Sequence, residues 1–166
     1  MKKVIISLFL IGAISLGHSQ IKKEIELEPV DLTVKIIHPE YLKEVQKSLA
    51  PQEAINLQKA IAAFDVKKMP DFDQKLSFYE VIFKSTKGSV NTFYDGEGKI
   101  LYALGKFKSV PLPKEIIRKV ISENDGWRII DNKYLTSYEG PTQKASNLYR
   151  IYMSNGSERK KLKVSL

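Results

Sequence analysis

The sequence predicts an α+β fold built from two tandem units, each a helix packed on an antiparallel β-sheet. Three observations predict it. Residues 76–104 hold three strand-like segments joined by two glycine turns. A fainter version of the pattern closes the chain from Tyr149 to Leu166. Each is preceded by a Leu and Pro opening, Leu49 to Pro51 and Leu112-Pro113, and then by apolar residues at helical spacing. Neither half alone would bury enough surface to be stable, so both are expected within one domain over residues 50–166.

Residues 1–19 read as a secretory signal peptide. Met1-Lys2-Lys3 is a charged start, Val4 to Ile14 is an apolar run too short to span a bilayer comfortably, and Gly17-His18-Ser19 supplies small residues before Gln20. A periplasmic or secreted protein is expected, with no membrane insertion after the signal is removed. The chain has no cysteine, which excludes a lipid-anchored form, thiol catalysis and thiolate metal sites. Losing Lys2 and Lys3 lowers the formal charge from +8 to +6. That balance favours encounter with acidic surfaces, and no nucleic-acid motif accompanies it.

Residues 20–49 read as an entry arm with a short helix. Ile25, Leu27, Val30, Leu32, Val34 and Ile36 alternate with polar residues, the pattern of an extended arm or edge strand. His38-Pro39 stops it, and Tyr41, Leu42, Val45 and Leu49 then recur at helical spacing. Pro51 suits the first position of a new helix, in which Leu57, Ile61 and Phe64 make one apolar stripe. Met69-Pro70 breaks it.

The central meander follows: Phe78 to Phe83, a turn at Lys87-Gly88, Ser89 to Tyr94, a turn at Asp95-Gly96-Glu97-Gly98, and Ile100 to Leu104. After Val110-Pro111-Leu112-Pro113, residues Ile116, Ile117, Val120 and Ile121 mark a helix from Lys114 to Asn124. Two short strands, Trp127 to Ile130 and Lys133 to Tyr138, are expected on either side of Asp131-Asn132. Glu139 to Ser146 reads as a polar loop. The final hairpin runs from Tyr149 to Met153, turns at Asn155-Gly156, and returns through Lys161 to Leu166.

These residues resemble the PepSY-like, β-lactamase-inhibitor-like proteins that many bacteria export. The resemblance covers roughly 50–166 and rests on Tyr79-Glu80-Val81-Ile82-Phe83, on Phe93-Tyr94-Asp95-Gly96-Glu97-Gly98-Lys99-Ile100-Leu101, on Leu112-Pro113 and on Tyr149-Arg150-Ile151-Tyr152. It implies tandem α/β units with helices on one face of the sheet, and binding or inhibition in place of catalysis. The long segment 21–49 and the stretched 139–146 loop depart from the pattern.

Catalytic signals are thin. His38 is the one histidine after the signal, and neither a histidine metal site nor a Ser-His-Asp arrangement can be assembled around it. Asp95-Gly96-Glu97-Gly98 lacks the further ligands of an EF-hand loop and reads as a hairpin turn. Asp71 and Asp73 read as solvent-facing carboxylates. Trp127 reads as core. No catalytic residue, metal site or cofactor is expected.

The sheet faces are more informative. Alternation puts Tyr79, Val81 and Phe83 under a helix, leaving Phe78, Glu80, Ile82 and Lys84 outward. Near the C-terminus it puts Tyr149, Ile151 and Met153 inward, and Leu148, Arg150 and Tyr152 outward. A two-residue turn at Asn155-Gly156 would set Tyr152 opposite Arg159, Arg150 opposite Lys161 and Leu148 opposite Lys163. Arg150, Tyr152, Arg159, Lys161 and Lys163 are therefore the candidate partner-binding residues, suited to an acidic protein or peptide of the cell envelope. Lysines that merely protect an edge strand are the competing reading. The expected function is a non-enzymatic exported module that binds a protein or peptide on the helix-free face, inhibition of an envelope hydrolase being one form of it. The alternative is a structural or stress-related envelope protein acting by self-association.

Overall fold

Alternating large apolar and polar side chains set the strands, and the computed structural model shows how they pair. It describes residues 21–26, 35–76 and 78–166; the expected signal peptide lies outside them. The strands are β1 (Ile21–Glu26), β2 (Tyr79–Lys84), β3 (Gly88–Tyr94), β4 (Ile100–Lys108), β5 (Arg128–Glu139), β6 (Lys144–Ser154) and β7 (Arg159–Ser165). They form one sheet in chain order. β1 lies parallel to β2, and each later neighbour is antiparallel. The helices are α1 (Pro39–Val45), α2 (Gln52–Ala63) and α3 (Lys114–Ser122). Among the described residues no helix is long and apolar enough to cross a membrane.

The fold is thus a single seven-stranded mixed sheet with three short helices, and the expectation of two tandem helix-on-sheet units is corrected. Two findings overturn it. β4 pairs with β5 continuously from Tyr102↔Glu139 to Lys108↔Lys133, so the supposed halves share one ladder. The helix over the C-terminal strands is also not the one that precedes them: α1 packs on β5 and β6, while α2 packs on β2 and β3. Tyr41 of α1 meets Tyr138 edge-on at 5.1 Å, and the Tyr149 hydroxyl donates to the Leu49 carbonyl at 2.7 Å. α3 adds Ile116 and Val120 to the same core from the side. A helical apolar period shows that a helix is covered, not which strands cover it.

The core is rich in tyrosine and phenylalanine. Tyr79, Val81, Phe83, Val90, Tyr94, Phe107, Tyr134, Tyr149, Ile151 and Met153 are fully buried on the helix side, each large side chain contributing about 1.5–3 kcal/mol of burial. β4 makes room with a small residue. A Cβ on Gly105 would stand 2.4 Å from Thr136 Cγ2. The Lys87-Gly88 hairpin, whose register the sequence leaves open, pairs Phe83 with Val90 and Tyr79 with Tyr94, keeping these aromatic and branched residues on one face.

Two local expectations are also corrected. The strands expected on either side of Asp131-Asn132 are one strand, β5, whose register shifts between Ile129 and Asp131. The bulge turns Asn132 inward, where its amide clamps Val110: Nδ2 donates to the Val110 carbonyl at 2.9 Å, and Oδ1 accepts from the Val110 amide at 3.2 Å. The expected loop 139–146 is mostly strand as well. Only residues 140–143 turn, with the Gly140 amide donating to the Leu101 carbonyl at 2.8 Å.

Candidate functional site: the cationic face of the sheet

On the helix-free face, strand register builds a row that neither helix nor loop supplies. Lys108 pairs with Lys133, Lys133 with Arg150, and Arg150 with Lys163. Four cations on four successive strands therefore stand side by side, at the ~4.8 Å spacing of neighbouring strands. Lys108 and Lys163 at the two ends are exposed, and Lys133 and Arg150 between them are half-buried. The next pairs along the strands are Lys106–Leu135–Leu148 on one side and Asp131–Tyr152–Lys161 on the other.

Of the five residues proposed from sequence, the structure brings Arg150, Tyr152, Lys161 and Lys163 together on β6 and β7, with Arg159 one pair further along. Their expected partners are corrected by two residues. The turn is residues 155–158, not a two-residue loop, so Ser154 faces Arg159, Tyr152 faces Lys161 and Arg150 faces Lys163. Asn155 causes the longer turn: its Oδ1 accepts from the Ser157 and Glu158 amides at 3.1 and 2.7 Å. Because the shift is even, every side chain stays on its expected face.

Lys108 and Lys133 were not among those candidates. Alternation outward from Tyr102 and Leu104 along β4 reaches Lys106 and Lys108, and that signal was readable. Their alignment with Arg150 needed the β4–β5 pairing.

Tyr152 sits among the cations. The Lys133 ammonium is 5.1 Å from its ring centroid. Desolvation pushes the Tyr152 phenol up, but hydrogen bonding and charge from Lys133 and Arg150 outweigh it and hold the group below the usual tyrosine range. Arg150 Nε is out of solvent contact and has no hydrogen-bond acceptor among the described residues.

The charges on this face are segregated. Near β1 and β2 they are paired: Lys84 with Glu24 at 2.6 Å and Lys22 with Glu80 at 3.8 Å. Among the described residues none of Lys106, Lys108, Lys133, Arg150, Arg159, Lys161 and Lys163 has a carboxylate within 4.0 Å. The neighbouring acids are engaged elsewhere: Asp131 accepts from the Ser109 hydroxyl at 3.1 Å, and Glu139 from the Thr142 hydroxyl at 2.7 Å.

The other candidates are occupied by structure. His38 is 6% exposed. Its Nε2 is 3.2 Å from the Phe64 carbonyl and its Nδ1 is 3.6 Å from Glu40 Oε1. Asp95 Oδ1 accepts from the Glu97 and Lys99 amides, and Gly98 takes the positive φ of +80° that the turn requires. Asp71 and Asp73 are exposed. Trp127 is partly buried against the core, with the Lys160 ammonium 4.0 Å over its ring. The described residues hold no cluster of three or more potential metal ligands.

These features define a class: a one-sheet protein with helices on one face and, on the other, a cationic row that is unpaired among the described residues. Comparison with known proteins adds no narrower assignment, since no family model, curated protein or solved structure matches this chain.

Proposed function

We propose that the protein is a non-catalytic binding module that engages an acidic protein or peptide through the helix-free face of its sheet. The row Lys108, Lys133, Arg150 and Lys163 carries this reading. Like charges directly opposite one another destabilise a sheet, so a row of four with no counter-charge among the described residues works against the fold unless a partner supplies one. Edge protection accounts for cations on β7. It does not account for Lys108 and Lys133, which lie on interior strands. Export rests on the leader pattern of residues 1–19, and inhibition of an envelope hydrolase is one form the binding would take.

A crosslinking capture from cell-envelope extract tests the reading, using the protein and a variant carrying Lys133→Glu, Arg150→Glu and Lys163→Glu, with matched circular dichroism. An acidic partner held by the first and lost by the second supports it. Equal capture by both overturns it. Self-association is separated by concentration-dependent mass: a dimer that shields the cationic face would favour the structural alternative. A hydrolytic activity lost on His38→Ala with folding retained would make the protein an enzyme.

A further inference from the structure

We propose that the occupant of this face is an amphipathic α-helix of a partner protein, lying across β4 to β7 with one acidic stripe over the cation row and an adjoining apolar stripe over Leu135 and Leu148. The proposal rests on the binding-face reading above and specifies the geometry of the ligand. Four cations on adjacent strands span about 14 Å at the strand spacing. Carboxylates one helical turn apart repeat every ~5.4 Å, so four of them span about 16 Å. The small difference falls at Lys108 and Lys163, the two exposed ends of the row, whose flexible side chains can absorb it. An extended peptide repeats its same-face side chains every ~6.8 Å and would overrun the row by about 6 Å.

The apolar neighbours favour the same ligand. Leu135 and Leu148 pair with each other beside the row, face away from the helix-side core, and are half-buried. On β4 the residue level with this pair is Lys106, and Leu104, 54% exposed, lies one pair further along, diagonal to Leu135. A helix whose acidic and apolar stripes adjoin would neutralise the row and cover the strip at once.

The test measures binding of the full chain, by fluorescence anisotropy, to two labelled peptides of identical composition. One places Glu at one-turn intervals with Leu on the adjoining helical face; the other alternates the same residues with period two. Anionic phosphatidylglycerol vesicles form a third arm. The expected result is that the helical peptide binds at least about tenfold more tightly than the alternating one, weakens with added salt, and loses at least about tenfold on Lys108→Glu with Lys163→Glu, two exposed positions whose folding is checked by matched circular dichroism. Leu148→Ser is expected to weaken it too. If the alternating peptide binds equally or better, the helix proposal is overturned and the acidic-partner reading stands. If only vesicles bind, or nothing binds, both are overturned.

Discussion

Lys133 and Arg150 face each other directly across β5 and β6, two cations in register, and the aromatic ring of Tyr152 lies beside them, 5.1 Å from the Lys133 ammonium. The cation–π contact offsets part of the repulsion. It leaves the net charge in place.

Relieving that repulsion should stabilise the protein while weakening its binding. Lys133→Gln is expected to raise the unfolding free energy by about 0.2–1 kcal/mol at low salt, and the gain should fade as salt screens the row. Urea denaturation at two ionic strengths checks both parts. A loss of stability at low salt would show that the packing of the Lys133 stem outweighs its charge.

Stability should fall in alkali. Burial raises the phenols of Tyr41, Tyr94, Tyr134 and Tyr149, with neighbouring tyrosines or, for Tyr149, Glu53 adding to the effect. A group raised in the folded state contributes stability that is fully present below its unfolded value, about 10 for tyrosine, and is lost as the pH rises above it. Each such tyrosine should add up to about 1.4 kcal/mol per pH unit to the slope above that point. Denaturation curves from neutral to alkaline pH measure the slope, and Tyr41→Phe should make it shallower. Tyr152 is shifted the other way, so it should be the first phenol to ionise in an ultraviolet titration.

Asn132→Ala should cost about 2–4 kcal/mol, because it strands the Val110 amide and carbonyl in a buried site. Asn132→Asp is the sharper probe. It can still accept from the Val110 amide, but its second oxygen would face the Val110 carbonyl as a buried carboxylate, so a loss at least as large as alanine's is expected at neutral pH, eased in acid where the protonated carboxyl can donate. Thermal unfolding of the two variants orders them.

Tyr149→Phe removes the hydroxyl that ties β6 to the Leu49 carbonyl. A loss of about 1–2 kcal/mol is expected, with faster amide exchange near residues 46–50 and little change in β2 and β3. Uniform acceleration across the sheet would mean that the bond supports the fold as a whole and not the seating of α1.

Much of the strand content was legible because it rests on period-two alternation, which fixes the face of each side chain without knowledge of its neighbours. Tyr149, Ile151 and Met153 are inward and Arg150 and Tyr152 outward for that reason alone. The two-residue turn expected at Asn155-Gly156 is a four-residue one, since the Asn155 side chain caps a longer loop, yet the even shift preserves the faces. What escaped was association across distance. Asp131-Asn132 reads as a break, and only the bulge that aims Asn132 at Val110 makes the strand continuous.

The sequence by itself determined the three helices, most of the strands, the faces of β2 and β6, and a cationic C-terminal hairpin, because these follow from side chains close together along the chain. The tertiary structure decided that there is one sheet in place of two tandem units, that α1 and not α3 covers β5 and β6, and that Lys108 and Lys133 join Arg150 and Lys163 in one row. The physical reason is that strand pairing and helix seating are set by the shape and burial of partners far apart in the chain, for which local periodicity holds no record.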